Sequence, residues 1–202
     1  MNQLALPLDY RRGEGQADFF VSTANADAVA WLDRWPAWPQ PQAVLVGPAG
    51  AGKSHLARLF AARSSARVID DADHADAEAL FHAWNAATLA QPLLMTARQA
   101  PRLWPQRLPD LASRLAATPT LVIADPDDAL LAAVLAKQFA DRGLRIAPDV
   151  AYYILARIDR SFVAGGAVVA ALDAAALAAG RAVTVPLARS VLEAQGDWLE
   201  PY

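Results

Sequence analysis

Eight residues, Gly47-Pro48-Ala49-Gly50-Ala51-Gly52-Lys53-Ser54, constrain this chain more than any other stretch. They fit the pattern G-x-x-x-x-G-K-[ST], in which glycines let the backbone turn tightly enough for successive N–H groups to converge on one anion. The context that this reading needs is present. Ala43-Val44-Leu45-Val46 is a short apolar run of strand type ahead of the octet, and Lys53 to Arg63 behind it reads as a helix. A strand that ends in such a loop and opens a helix aims the loop amides and the positive end of the helix at the same point. Lys53 is then expected to bridge the β- and γ-phosphates of a bound nucleotide, ADP or ATP, and Ser54 to ligate Mg2+. The whole octet, with His55 next to it, forms the expected nucleotide-contacting set. The plainer alternative, a glycine-rich turn with an accidental lysine, leaves the flanking strand and helix unexplained.

The surrounding elements alternate. Asn25 stands where it can cap a helix with Ala28, Val29, Leu32 and Trp35 at helical spacing, ended by Pro36, Pro39 and Pro41. Ala66-Arg67-Val68-Ile69 reads as a strand, Ala75 to Ala90 as an alanine-rich helix, Pro92-Leu93-Leu94-Met95-Thr96 as a third strand and Thr120-Leu121-Val122-Ile123 as a fourth. Strands alternating with helices imply a parallel sheet with helices on both faces. Beyond residue 147 the pattern is all helical: Asp149 to Arg157, Ser161 to Ala179 closed by Gly180, and a last helix capped by Thr184 with Pro186 in its first turn. The expected class is therefore α/β, a phosphate-loop parallel sheet flanked by helices and followed by a small all-helical domain.

The strand at Ala66–Ile69 delivers Asp70 and Asp71 at its end. Two adjacent carboxylates there suit a magnesium-dependent phosphoryl site, with Asp70 holding the metal and Asp71 orienting the attacking water. The plainer alternative is that both are solvated acids of a turn that runs on through Asp73, His74 and Asp76. A metal site on His74 and Asp76 lacks a second paired histidine and is set aside.

Composition removes other classes. The chain has 202 residues, 55% of them hydrophobic, and no cysteine, so it has material for a core but none for disulfides, thiolate zinc sites or thiol nucleophiles. A formal net charge of −3 argues against a broad nucleic-acid surface, which needs clustered Lys and Arg. Met1-Asn2-Gln3-Leu4 has neither the basic nor the apolar region of a secretory signal, which points to the cytoplasm. The apolar stretch Phe162 to Leu172, closed by Asp173, falls short of the roughly 20 residues of a membrane span and reads as a buried helix. The tryptophans lack interleaved basic residues, so core or interface packing is expected of them rather than base stacking.

Taken together, these residues resemble the DnaA branch of the AAA+ ATPases, and within it the Hda-type replication regulators. Asp18-Phe19-Phe20-Val21-Ser22-Thr23-Ala24-Asn25 is similar to the stretch that holds the adenine base in that branch, which implies contacts from Phe20 and Val21. Leu108-Pro109-Asp110-Leu111-Ala112-Ser113-Arg114-Leu115 looks like its box VII, whose last arginine is an arginine finger, so the resemblance makes Arg114 a catalytic residue acting in trans. A surface arginine paired with Asp110 one turn earlier is the ordinary alternative. Thr96 sits where the sensor I polar residue is expected. Gln3-Leu4-Ala5-Leu6-Pro7-Leu8 is similar to the Q-L-x-L-P-L peptide that grips the bacterial sliding clamp, the β subunit of DNA polymerase III. Leu6 and Leu8 would enter an apolar pocket, Gln3 would hydrogen-bond at its rim, and Pro7 would limit the entropy lost on docking. An N-terminal edge strand is the competing reading.

The resemblance runs from Gln3 to about Leu192 and implies three parts: a clamp-binding peptide and tether over 1–16, a slightly reduced AAA+ nucleotide-binding domain over 17–147, and a helical lid over 148–202. Two departures stand out. Only a few residues around Ser64 and Ser65 separate the phosphate-loop helix from the paired-acid strand, which implies a sheet one unit smaller than the family's. At the sensor II position the chain has Val163, with Arg160 one turn earlier as a substitute. The implied function is negative regulation of replication initiation: the chain binds the clamp, contacts ATP-loaded DnaA and promotes its hydrolysis through Arg114, with weak or no ATPase of its own. A homo-oligomer is compatible with this. The chain stops at Tyr202, leaving no expected room for a helix-turn-helix DNA reader. The alternative is a free-standing AAA+ ATPase or helicase loader in which Asp71, Thr96 and Arg160 act in cis.

Overall fold

A computed structural model of the chain describes residues 9–11, 19–105 and 108–194. The chain divides into two compact units, one spanning Tyr10–Ala124 and the other taking in Asp125 onward.

The first unit is built on a parallel sheet. Strands β3 (Gln42–Val46), β4 (Arg67–Ile69), β5 (Leu93–Ala97) and β6 (Thr120–Val122) lie in the order β4-β5-β3-β6. Gln42 to Val46 pair in register with Leu93 to Ala97, and both central strands are buried along their whole length. That is why they read as mainly apolar runs: a parallel strand covered on both faces has no solvent side to show. Because the strands are parallel, their carboxyl ends share one edge of the sheet, where α/β proteins place their sites. β4 is the edge strand on the acidic side and β6 on the other. A separate two-stranded pair joins β1 (Asp9–Arg11) to β2 (Phe19–Val21).

Helices α1 (Ala26–Asp33), α2 (Lys53–Ser64), α3 (Ala77–Ala86) and α4 (Pro109–Ala116) complete this unit. Three expectations are corrected here. Asn25 occupies the N-cap position but its side chain does not cap the helix: Oδ1 accepts from the Ser22 amide at 2.9 Å and Nδ2 donates to the Phe20 carbonyl at 2.9 Å, tying β2 to the helix start. Trp35 lies beyond α1. The helix expected over Ala75–Ala90 is shorter, beginning after Asp76, whose carboxylate caps the Ala79 amide at 2.9 Å, and stopping where Thr88 and Gln91 exchange backbone hydrogen bonds in a turn toward β5.

The second unit contains α5 (Asp128–Asp141), α6 (Pro148–Leu155), α7 (Phe162–Ala179) and α8 (Val185–Ala194). Leu131, Leu135 and Phe139 of α5 share one core with Val150, Ile154, Val168, Val169, Leu172 and Leu187. Because α5 belongs to this core, the division between units falls at Ala124/Asp125 and not at residue 147. Ser161 caps α7 through a 3.0 Å bond from the Ala164 amide, and Gly180 closes it in the left-handed conformation at φ 59°. Among the described residues α7 alone is long and apolar enough to cross a membrane by length and composition. The helix runs to Ala179 and is closed by Gly180, as the sequence predicts, with Asp173 facing Arg142 at 3.5 Å.

Candidate nucleotide site and trans-acting arginine

The loop after β3 is shaped by its glycines. A Cβ on Gly47 would lie 2.7 Å from the Ile123 carbonyl oxygen and 3.1 Å from the Ile123 Cβ, so no other residue fits without moving backbone. Gly52, at φ +80°, starts α2 from a left-handed conformation that L side chains rarely adopt, and a Cβ there would press on the Phe19 ring at 3.3 Å. Phe19 in turn stacks on His55, with ring centroids 6.0 Å apart.

Lys53, the first residue of α2, is only 8% exposed. Its Nζ donates to the carbonyls of Gly47 and Pro48, both at 2.8 Å, which curls the ammonium back over the loop. Burial lowers its pKa below the usual lysine value. The carboxylates of Asp71, Asp73 and Asp70 oppose that shift, while the positive charge of Arg98 adds to it. A desolvated cation beside converging amides is equipped to take up a polyanion, which would restore the charge stabilisation that burial removed.

The paired aspartates stand beside this lysine. Thr96, 1% exposed near the end of β5, donates from Oγ1 to Asp70 Oδ1 at 2.7 Å and accepts from the Asp71 amide at 3.3 Å. Thus Thr96, Asp70 and Asp71 meet in one cluster, and both carboxylates reach solvent. Asp71 holds a left-handed backbone at φ 47°, which aspartate tolerates better than most residues. Of the two, Asp71 acts more strongly on the Lys53 charge. Sequence reasoning missed Arg98 and gave Asp73 no role. The Arg98 amide donates to Asp73 Oδ2 at 3.3 Å, and Arg98 follows Ala97, whose carbonyl accepts from the Gly47 amide at 3.3 Å. A charged residue just past the end of a central parallel strand was the available signal.

Phe20 and Val21 are half-buried in β2, and Ala24 accepts at its carbonyl from the Ala124 amide at 2.9 Å, joining this stretch to the segment after β6.

Arg114 lies at the other end of the sheet. Its guanidinium carbon is 4.9 Å from the Trp84 ring centroid and 5.5 Å from that of Phe81, both on α3, instead of pairing with Asp110. Its carbonyl accepts from Thr118 Oγ1 at 2.9 Å, and Thr118 leads into β6. Thr118 and Gln42 belong to the starts of their strands, whereas the phosphate loop follows their ends. Five strand residues separate those two levels, about 16 Å at the usual rise, which exceeds the reach of one side chain.

The family model described as the lid domain of Hda matches residues 127–192. Domain III of the replication initiation protein DnaA from Thermotoga maritima superposes with a TM-score of 0.74 at 16% identity, over 91% of this chain and 95% of that one. The chain has the AAA+ fold, and residues 127–192 are similar to the lid domain of Hda. The match begins at α5, in agreement with the boundary drawn by the packing. Replication initiator DnaA bound to AMPPCP and single-stranded DNA has the same fold, with a TM-score of 0.59 at 14% identity over 75% of this chain and 62% of that one. So does the AAA domain of FIGL-1 in complex with ADP, with a TM-score of 0.55 at 18% identity over 79% of this chain and 77% of that one. No curated protein matches the chain by sequence.

Within the Hda-type lid, Arg160 forks onto Asp128 at the start of α5, with Nε to Oδ1 at 2.9 Å and Nη2 to Oδ2 at 3.1 Å. Val163, on the first turn of α7, is 57% exposed. The peptide residues Gln3, Leu4, Leu6, Pro7 and Leu8 lie outside the described residues, as does Asp18.

Proposed function

We propose that this AAA+ protein is a negative regulator of replication initiation that promotes hydrolysis of DnaA-bound ATP by inserting Arg114 into the partner's site. The observation that carries the proposal is the position of Arg114 at the end of the sheet opposite its own phosphate loop. An arginine there is out of reach of its own loop and is placed to serve a nucleotide held by another subunit. Its guanidinium would stabilise the charge that develops on the transferred phosphoryl group, an effect worth about 10³–10⁵ in kcat in other NTPases. The Hda-type lid and the DnaA-like fold support the choice of partner.

The chain's own loop suits a phosphate-bearing ligand, ADP or ATP, and two of the similar structures hold AMPPCP and ADP. Lys53 and the loop amides would hold its phosphates, with Phe20, Val21 and His55 toward the base. Among the described residues no group of three or more His, Cys, Asp or Glu is arranged to hold a metal ion. Ser54 and Asp70 would therefore hold Mg2+ together with phosphate oxygens, and the ion would neutralise part of the phosphate charge. Arg160 would have to leave Asp128 to take the sensor II role. In this reading the bound nucleotide sets the arrangement of domain and lid rather than driving a cycle. Gln3 to Leu8 would tether the chain to the sliding clamp.

The assay is hydrolysis of radiolabelled ATP preloaded on DnaA, with clamp and this chain added, beside a Gln3→Ala/Leu6→Ala variant. Stimulation by the wild type that is lost in the variant supports the proposal, and no stimulation by the wild type refutes it. A second reading, a free-standing ATPase, is favoured by the complete cluster of Lys53, Asp70, Asp71 and Thr96 in one chain. Turnover by the purified chain without any partner would select it.

A further inference from the structure

We infer that Trp84 and Phe81 form a fixed aromatic platform that holds Arg114 in position for its action in trans. The inference rests on the proposed finger role, and adds to it the residues that orient the finger. An arginine side chain has many rotamers, and freezing it on docking loses entropy that a preset pose avoids. Here the guanidinium carbon stands 4.9 Å from the Trp84 centroid and 5.5 Å from that of Phe81, within the range at which a ring face attracts a cation.

The platform itself is held in place. Trp84 Nε1 donates to Thr118 Oγ1 at 3.1 Å, and that hydroxyl donates to the Arg114 carbonyl at 2.9 Å. One hydroxyl thus links the ring to the backbone of the residue that the ring supports. From the sheet side, Gln42 Nε2 donates to the Trp84 carbonyl at 2.8 Å, and Gln42 is 5% exposed. Leu111 and Leu115, on either side of Arg114 in α4, are buried in the core cluster that Phe81 and Trp84 pack against. Ring, helix and strand therefore move as one piece. Phe81 and Trp84 act through Arg114, so they are positioning residues.

The test compares Arg114→Ala, Trp84→Leu and Trp84→Phe in the full chain, reading the maximal rate of DnaA-bound ATP hydrolysis at saturating concentrations of each variant. Both Trp84 variants lose the bond to Thr118, and only Trp84→Phe keeps a ring, so their difference isolates the platform. The expected result is a roughly tenfold lower maximal rate for Trp84→Leu and at most about a threefold loss for Trp84→Phe. Circular dichroism confirms that both fold. A second readout needs no partner: the Arg114 side-chain resonances are shifted upfield by the rings in the wild type and return toward random-coil values in Trp84→Leu. If Arg114→Ala abolishes stimulation while Trp84→Leu matches the wild type, the platform is refuted and the finger stands. If Arg114→Ala stimulates normally, the finger falls and the platform's role falls with it.

Discussion

Gly47→Ala is the smallest change expected to disable the nucleotide site. The added methyl would lie 2.7 Å from the Ile123 carbonyl oxygen and 3.1 Å from the Ile123 Cβ, both well inside ordinary contact. Relief requires several tenths of an ångström of movement, and each available direction breaks something. Moving the loop shifts the Gly47 carbonyl, which holds Lys53 Nζ at 2.8 Å. Moving the opposite wall strains the 2.8 Å bond from the Ile123 amide to Val46. Overpacking of this kind costs about 1–3 kcal/mol, which corresponds to a fall of roughly 3–10 °C in Tm. With Lys53 displaced, ADP affinity should drop at least about tenfold, an order set by one charge-assisted hydrogen bond. Differential scanning fluorimetry with and without ADP measures both effects. Gly143→Ala is the control, because Gly143 has φ +74° but open space around it, so only conformational strain of about 1 kcal/mol applies. A Gly47→Ala chain that melts with the wild type and binds ADP equally well would refute the steric argument.

Three further outcomes follow from the same geometry. The folded-state pKa of Lys53 is lowered, so the unfolded chain binds more protons between that value and 10.5, and its contribution to stability should improve as pH rises through that window. Lys53→Met should flatten that part of the stability profile while abolishing ADP binding, as followed by urea titration at several pH values. Thr96→Val keeps shape but leaves Asp70 and the Asp71 amide without their shared hydroxyl, and should destabilise the first unit by about 1–2 kcal/mol in urea denaturation. Arg160→Ala should change stability by less than about 1 kcal/mol, since both Arg160 and Asp128 are largely exposed. A marked loss of ADP affinity in that variant would then report a nucleotide contact directly.

What could be read from the sequence divides along a physical line. The phosphate loop, the strands at Ala43–Val46 and Thr120–Ile123, and the acids after Ile69 are local patterns whose chemistry lies within a few residues. Helix α5 was missed because its buried residues, Leu130, Leu131, Ala133, Leu135 and Phe139, spread round the helix and leave no clear apolar stripe. That one omission moved the expected domain boundary by more than twenty residues. The cluster of Thr96 with Asp70 and Asp71, and the place of Arg98 beside Lys53, depend on which strands become neighbours, and strand order is not a local property. The rings under Arg114 come from a helix about 30 residues away in sequence. Two of the tryptophans expected in the core are there: Trp104 and Trp38 are buried, the latter stacked on Phe60 at 4.9 Å.

The central claim is that Arg114 serves another subunit's nucleotide and not its own. The most direct measurement pairs two readings on Arg114→Ala: its own ADP affinity by calorimetry, and its stimulation of DnaA-bound ATP hydrolysis. The expected result is an ADP affinity within about twofold of the wild type, since Arg114 stands at the end of the sheet opposite the loop, together with loss of stimulation. Weakened ADP binding with stimulation intact would contradict it and place Arg114 in the service of its own site.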